Sequence, residues 1–185
     1  GEGYYSGKAA YFLRIGGCDV GCHWCDVKES WNADLHPPSS IDDILKGIAE
    51  YPVDTVVITG GEPLMWNLNK LTGALKNKGL TVHLETSGAY PYSGNFDWVC
   101  VSPKKMQGPL DAIKPITSEL KVIVNNKHDF IWAEEQREGL KSDCKLYLQS
   151  EWSKREEVIP MIIDFIKENK AWVISLQSHK YMNIP

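Results

Sequence analysis

Seven short runs rich in β-branched and aromatic residues recur along the chain, at 9–15, 55–59, 81–85, 98–101, 119–124, 145–149 and 172–176. Several are nearly continuous in apolar residues, the pattern of strands buried on both faces of a parallel sheet. Helical patterns lie between some of them. Ser40 reads as an N-cap for a helix to about residue 50, and Leu68, Leu71 and Leu75 share one helical face ahead of a Gly79 stop. Residues 129–137 and 155–169 read likewise, with Pro160 predicting a kink or a later start in the last. Alternating β and α elements predict an α/β fold built as a βα sheet or barrel. Four helices serve seven strands, and the connections after Glu85 and Val101 read as loops. The expectation is an incomplete, TIM-like βα barrel with few helices. With 43% hydrophobic residues, the chain 1–185 suffices for one domain with a real core.

In such folds ligands gather where the strands end. Polar clusters follow six of the runs: the cysteine loop, Thr59-Gly60-Gly61-Glu62-Pro63, Glu85-Thr86-Ser87-Gly88, Ser102-Pro103-Lys104, Gln149-Ser150-Glu151 and Gln177-Ser178-His179. They describe one shared site.

Cys18, Cys22 and Cys25 form a C-x3-C-x2-C run. Three thiolates fall short of the four ligands that close a structural zinc site, unless His23 or His36 completes it. They suit a 4Fe-4S cluster with one iron left open to a small molecule. Gly16, Gly17 and Gly21 let the backbone wrap a bulky core, and Trp24 is placed to pack beside it. The paired glycines 60 and 61 let a ligand approach the main chain, and the Glu62 carboxylate is expected to meet an ammonium group; a plain turn is the alternative. Arg14, near a strand end, reads as a buried guanidinium with a carboxylate partner or as a surface residue, and Lys104 is open in the same way. Glu85 reads as an interior charge with a local partner, not as a catalytic group. His83 and His128 carry no clear signal. Lys154-Arg155-Glu156-Glu157 reads as a solvated helix start.

Net charge is −4 with the signs interspersed, which argues against a nucleic-acid partner. Five cysteines, three of them crowded, argue against a secreted disulfide framework and for the cytoplasm; Cys100 and Cys144 read as core residues. No run approaches the ~18 apolar residues of a membrane span. Gly1-Glu2-Gly3-Tyr4-Tyr5 is neither a basic nor an apolar leader, so no signal peptide is expected, and the missing initiator Met suggests a few residues upstream.

C-x3-C-x2-C with a later Gly-Gly-Glu-Pro resembles the radical S-adenosylmethionine superfamily. Gly1-Glu2-Gly3, Arg14, Cys25-Asp26, Glu85-Thr86-Ser87-Gly88, Ser102-Pro103-Lys104 and the terminal proline together resemble its 7-carboxy-7-deazaguanine synthase family, over nearly the whole chain. The resemblance implies conversion of 6-carboxy-5,6,7,8-tetrahydropterin to 7-carboxy-7-deazaguanine with loss of ammonia, towards queuosine and other 7-deazapurines. It implies that Cys18, Cys22 and Cys25 hold the 4Fe-4S cluster. Gly60, Gly61, Glu62, Gly88, Ser102, Lys104, Gln149, Ser150 and Glu151 would contact S-adenosylmethionine. Gly1, Glu2, Arg14, Thr86, His179 and the carboxylate of Pro185 would contact the pterin, with no side chain acting as acid or base. It also implies a flavodoxin- or ferredoxin-type one-electron reductant and a homodimer, for which Trp132 and Trp152 read as exposed aromatics. One departure stands out. Val27 occupies the place where the family often has a Thr whose hydroxyl helps bind magnesium, so magnesium dependence stays open.

Three other readings compete: a small glycyl-radical-enzyme activase, a non-enzymatic zinc or electron-transfer module, and a modifier of RNA. An activase docks a protein and has no need of Glu2, Arg14 and a terminal carboxylate around a small molecule. The module would stay without turnover, and the acidic balance argues against RNA.

Overall fold

A computed structural model describes residues 2–184. All seven expected strands form: β1 (Tyr11–Ile15), β2 (Thr55–Gly60), β3 (Thr81–Thr86), β4 (Trp98–Val101), β5 (Glu119–Val124), β6 (Lys145–Ser150) and β7 (Trp172–Ser175). They make one sheet in the order β1-β2-β3-β4-β5-β6-β7, with every neighbouring pair parallel. Among the described residues no β7–β1 pair closes the ring, so the sheet is a partial barrel with a seam between its first and last strands.

Four helices cover the outside: α1 (Ile41–Ala49), α2 (Asn69–Asn77), α3 (His128–Arg137) and α4 (Arg155–Glu168); a short α5 (Ser178–Met182) follows β7. Ser40 caps α1 by accepting the Asp43 N–H at 3.1 Å. Gly79 ends α2 at a positive φ of 76°. Pro160 neither delays nor ends α4, because it lies on the exposed face, where water can satisfy the carbonyl it leaves unpaired. The connections after β3 and β4 contain no α-helix; the second holds a 3₁₀ segment, Asp111–Ile116.

The pleat sorts each strand into two faces. Val56, Ile58, Val82, Leu84, Val99 and Val101 pack outward under α1 and α2, with Ile48, Leu68 and Leu75. Leu120, Val122, Val124, Leu146, Leu148 and Trp172 pack under α3 and α4, with Phe130, Ala133, Val158 and Ile162. The alternate residues line the concave interior: Arg14, Thr59, His83, Glu85, Cys100, Glu119, Lys121, Gln149 and Ser175.

The amino-terminal segment fills that interior. Tyr4 stacks on Trp98 with centroids 4.8 Å apart, and Tyr5 lies 4.5 Å from the His83 ring, plugging the end where the strands begin. Gly3 has a φ of 59°, and a Cβ there would overlap the Glu119 carboxylate. Trp132 and Trp152 are not the exposed aromatics expected. Trp132 packs on the α3–α4 core, and Trp152 lies between Arg155 and Lys180, 4.4 and 5.2 Å from its ring centroid. Among the described residues no helix is long and apolar enough to cross a membrane.

Candidate active site

The three cysteines lie on the loop that leaves β1. Its base is closed by the Gly17 N–H donating to the Ser30 carbonyl at 2.7 Å and the Cys18 N–H to the Trp31 carbonyl at 3.1 Å. Inside it, the Cys25 N–H donates to the Cys22 carbonyl at 2.9 Å, a tight turn that brings two thiols round together. Two side chains staple the loop to its surroundings. The Tyr90 hydroxyl donates to Asp19 at 2.5 Å, and Asp26 accepts from Lys180 at 2.7 Å and Gln177 at 3.2 Å.

The donor set fits an iron–sulfur cluster. Burial raises the pKa of Cys18 and Cys22, and the neighbouring thiols push the same way, so the thiolates await a strong positive charge. Three thiols on one loop suit a core of several irons better than a single zinc, which would still want a fourth protein ligand. His23 is exposed against Trp24, away from any ligand role, and the His36 ring is bonded to the Glu29 carbonyl at 2.8 Å. Magnesium does not fit. Val27 offers no side-chain oxygen, and the Asp26 carboxylate already carries the Lys180 ammonium.

The Gly-Gly-Glu segment differs from its sequence reading in an instructive way. A Cβ on Gly60 would overlap the Ile15 backbone, and one on Gly61 the Gly17 carbonyl. The glycines therefore admit the cysteine loop itself, which is tied there by Gly61 N–H to Ile15 O at 2.9 Å and Glu62 N–H to Gly17 O at 2.8 Å. Glu62 is only 1% exposed. One carboxylate oxygen accepts from Leu64 N–H (3.0 Å) and the Thr86 hydroxyl (2.5 Å). The other accepts from the Ser87 N–H (2.7 Å) and the Ser87 hydroxyl (2.5 Å). Four donors fill a carboxylate, so the side chain expected to meet an ammonium group is instead a brace between the ends of β2 and β3. Thr86, expected at the substrate, spends its hydroxyl hydrogen on that brace and accepts from the Gly88 N–H at 3.0 Å.

Other strand-end residues take separate places. Lys104 donates to both the carbonyl and the hydroxyl of Ser102 at 2.6 Å and lies 5.4 Å from the Trp24 ring, under the cysteine loop; burial lowers its pKa. Gly88, at φ 79°, is pressed against Pro109, Val101 and Ile113. Ser150 is buried at the end of β6. Glu151 caps the turn after it, accepting from the Ser153 N–H at 3.0 Å and hydroxyl at 2.5 Å.

Below the loop lies a charged well. Lys121 Nζ is 3.0 Å from Glu2 and 3.4 Å from Glu85, which is the local partner expected for Glu85. Lys121 is 5% exposed, and the surrounding carboxylates raise its pKa well above the ordinary lysine value despite burial. Glu2 also meets His179 at 3.1 Å. Burial opposes its charge, but Lys121, Gln149 and His179 outweigh that and hold the carboxyl below its usual range. Gln149, expected at S-adenosylmethionine, belongs to this floor, accepting from Ser175 at 2.7 Å and bonding to Glu2. Glu119, held by Trp98 at 3.0 Å and Tyr4 at 3.3 Å, is shifted the other way: burial raises its pKa. Cys100 is buried as expected, but beside these charges rather than in the aliphatic core, and its pKa is raised. Arg14 is exposed, not buried, and points to the concave side at the seam. Gly1 and Pro185 lie outside the described residues.

Lys121 and Glu119 are absent from the sequence reading. Their signal was present: two charges two residues apart inside an apolar run, hence on one face of a strand.

The radical SAM superfamily model matches residues 13–131. The chain is 58% identical over 185 residues to a 7-carboxy-7-deazaguanine synthase of Flavobacterium psychrophilum, covering 100% of this chain and 88% of that protein. A protein of the same name from Synechocystis is 46% identical over 184 residues, at 100% and 88% coverage. The crystal structure of QueE from Escherichia coli superposes with a TM-score of 0.82 at 30% identity, covering 95% of this chain and 88% of that one.

Proposed function

The chain belongs to the radical S-adenosylmethionine superfamily and, within it, to the 7-carboxy-7-deazaguanine synthases, and from that premise we propose how its residues convert 6-carboxy-5,6,7,8-tetrahydropterin to 7-carboxy-7-deazaguanine with loss of ammonia. When bound, the 4Fe-4S cluster and S-adenosylmethionine supply one-electron cleavage and hydrogen-atom abstraction from the pterin. Cys18, Cys22 and Cys25 hold the cluster. Main-chain groups of Gly60, Gly61 and Glu62, with Gly88, Ser102, Lys104, Ser150 and Glu151, line the strand ends where S-adenosylmethionine binds. Glu62 acts there through its brace, fixing backbone rather than offering its carboxylate.

Glu2 recognises the guanidine-like edge of the pterin. Lys121 and His179 keep it ionised, and an ionised carboxylate with acceptor capacity left beyond Lys121, His179 and Gln149 is the charge-assisted partner that such an edge needs. Arg14, exposed on the concave side, takes the substrate carboxylate. The radical domain extends over 1–185. A one-electron reductant of flavodoxin or ferredoxin type and a cytoplasmic setting belong to the same reading, since the cluster must be reduced. So does a homodimer.

The observation that carries this function is the stacking of two unlike layers: three thiols over the strand ends, and a paired, ionised Glu2 beneath them. The test is an anaerobic assay with the carboxylated tetrahydropterin, S-adenosylmethionine and a reductant. Formation of the deazaguanine acid is expected; cleavage of S-adenosylmethionine that never yields it overturns the assignment.

A further inference from the structure

The seam between β1 and β7 has no backbone pairing, yet it is closed at the strand ends by a side-chain clasp. Asp26, next to Cys25, accepts from Lys180 at 2.7 Å and from Gln177 at 3.2 Å. Both donors flank or lie on α5, and α5 is itself fixed by Tyr181 packing edge-on against Trp152, centroids 5.1 Å apart. The residue before Lys180 is His179, which bonds Glu2 at 3.1 Å. A single line of contacts thus runs from the cysteine loop through Asp26, Lys180 and His179 to the substrate-recognising carboxylate.

The clasp also decides what Asp26 can bind. A magnesium ion needs close to octahedral oxygen ligands at about 2.1 Å. Here the Asp26 carboxylate faces an ammonium group, the next side chain is the hydrocarbon of Val27, and a second cation would be repelled by Lys180. We propose that Lys180 is a positioning residue that serves as the built-in cation beside the cysteine loop, so that this chain needs no divalent ion there. The proposal rests on the deazaguanine synthase reading. In the protein, Lys180 neutralises Asp26, draws α5 across the seam and sets His179 against Glu2.

The test uses cluster-loaded enzyme in metal-free buffer, with equilibrium dialysis against Mn2+ in the presence and absence of the pterin, and steady-state kinetics with and without added Mg2+. The wild type is expected to bind no stoichiometric Mn2+ and to keep its turnover without Mg2+. Lys180→Met is expected to raise the KM for the pterin about tenfold while sparing uncoupled S-adenosylmethionine cleavage, and Lys180→Arg to restore the KM. Stoichiometric Mn2+ binding by the wild type, a fall in its turnover on metal withdrawal, or an unchanged KM in Lys180→Met overturns the proposal. Failure of the wild type to make the deazaguanine acid under any condition overturns the functional reading instead, and dialysis without pterin then still decides whether Asp26 takes a divalent ion.

Discussion

On the outer side of β3, Val82 and Leu84 are sealed among aliphatic neighbours; on the inner side of the same strand, His83 meets a tyrosine ring and Glu85 a buried lysine. The outer face is held by area removed from water, a force that is non-directional and tolerant of exchange among apolar side chains. The inner face is held by charge pairing, where each group is costly without its partner. One strand therefore carries two contracts: outer residues fix the barrel, and inner residues fix the state of one carboxylate.

The largest test removes the chemistry while leaving both faces intact. Cys22→Ala is expected to lose cluster iron and all turnover, with the strands still formed by circular dichroism; full activity in this variant would end the radical assignment. Next is Lys121→Met, which leaves Glu2 buried without its main counter-charge and is expected to cost about 4 kcal/mol at neutral pH. The sign follows from linkage. In the wild type, the depressed pKa of Glu2 gives stability that is present above the ordinary carboxylate range and is lost as pH falls through the folded value. Without Lys121 only Gln149 and His179 oppose burial at Glu2, so the deficit against wild type should shrink as the solution is acidified through that range. Denaturant titrations at neutral and mildly acidic pH check this, and a deficit independent of pH would mean that packing, not charge, dominates.

Leu84→Ala probes the other face. It is fully buried, and its truncation should cost about 3 kcal/mol with no change in turnover per folded molecule. A strong fall in kcat would show that the two faces are not separable. Smallest is Thr86→Val, which deletes one donor from the Glu62 brace and should cost about 2 kcal/mol. As a brace, Thr86 affects stability and S-adenosylmethionine affinity; a selective rise in the pterin KM would return it to the substrate.

All seven strands were legible because parallel strands between helices and a packed interior read as plain apolar runs, and the caps at Ser40 and Gly79 because their chemistry is local. The cysteine spacing is equally local. What escaped was partnership at a distance. Glu62 was visible as a carboxylate at a strand end, but its four donors come from Leu64, Thr86 and Ser87, and only folding brings β3 alongside. Lys121 looked like an interruption in an apolar run, since its partners Glu2 and Glu85 lie far off in sequence. Trp152 read as exposed because its covering cations come partly from the far end of the chain.

The threading of the amino-terminal segment through the barrel sets a timetable for making the enzyme. Glu2 is synthesised before all seven strands, yet His179, which must hold it, follows the last of them. Until β7 and α5 are made, Glu2 lacks this partner and the seam lacks its clasp, although the outer faces of the earlier strands can already pack. Maturation should thus end with an insertion event, slower than collapse of the strands, that converts an assembled shell into a competent catalyst.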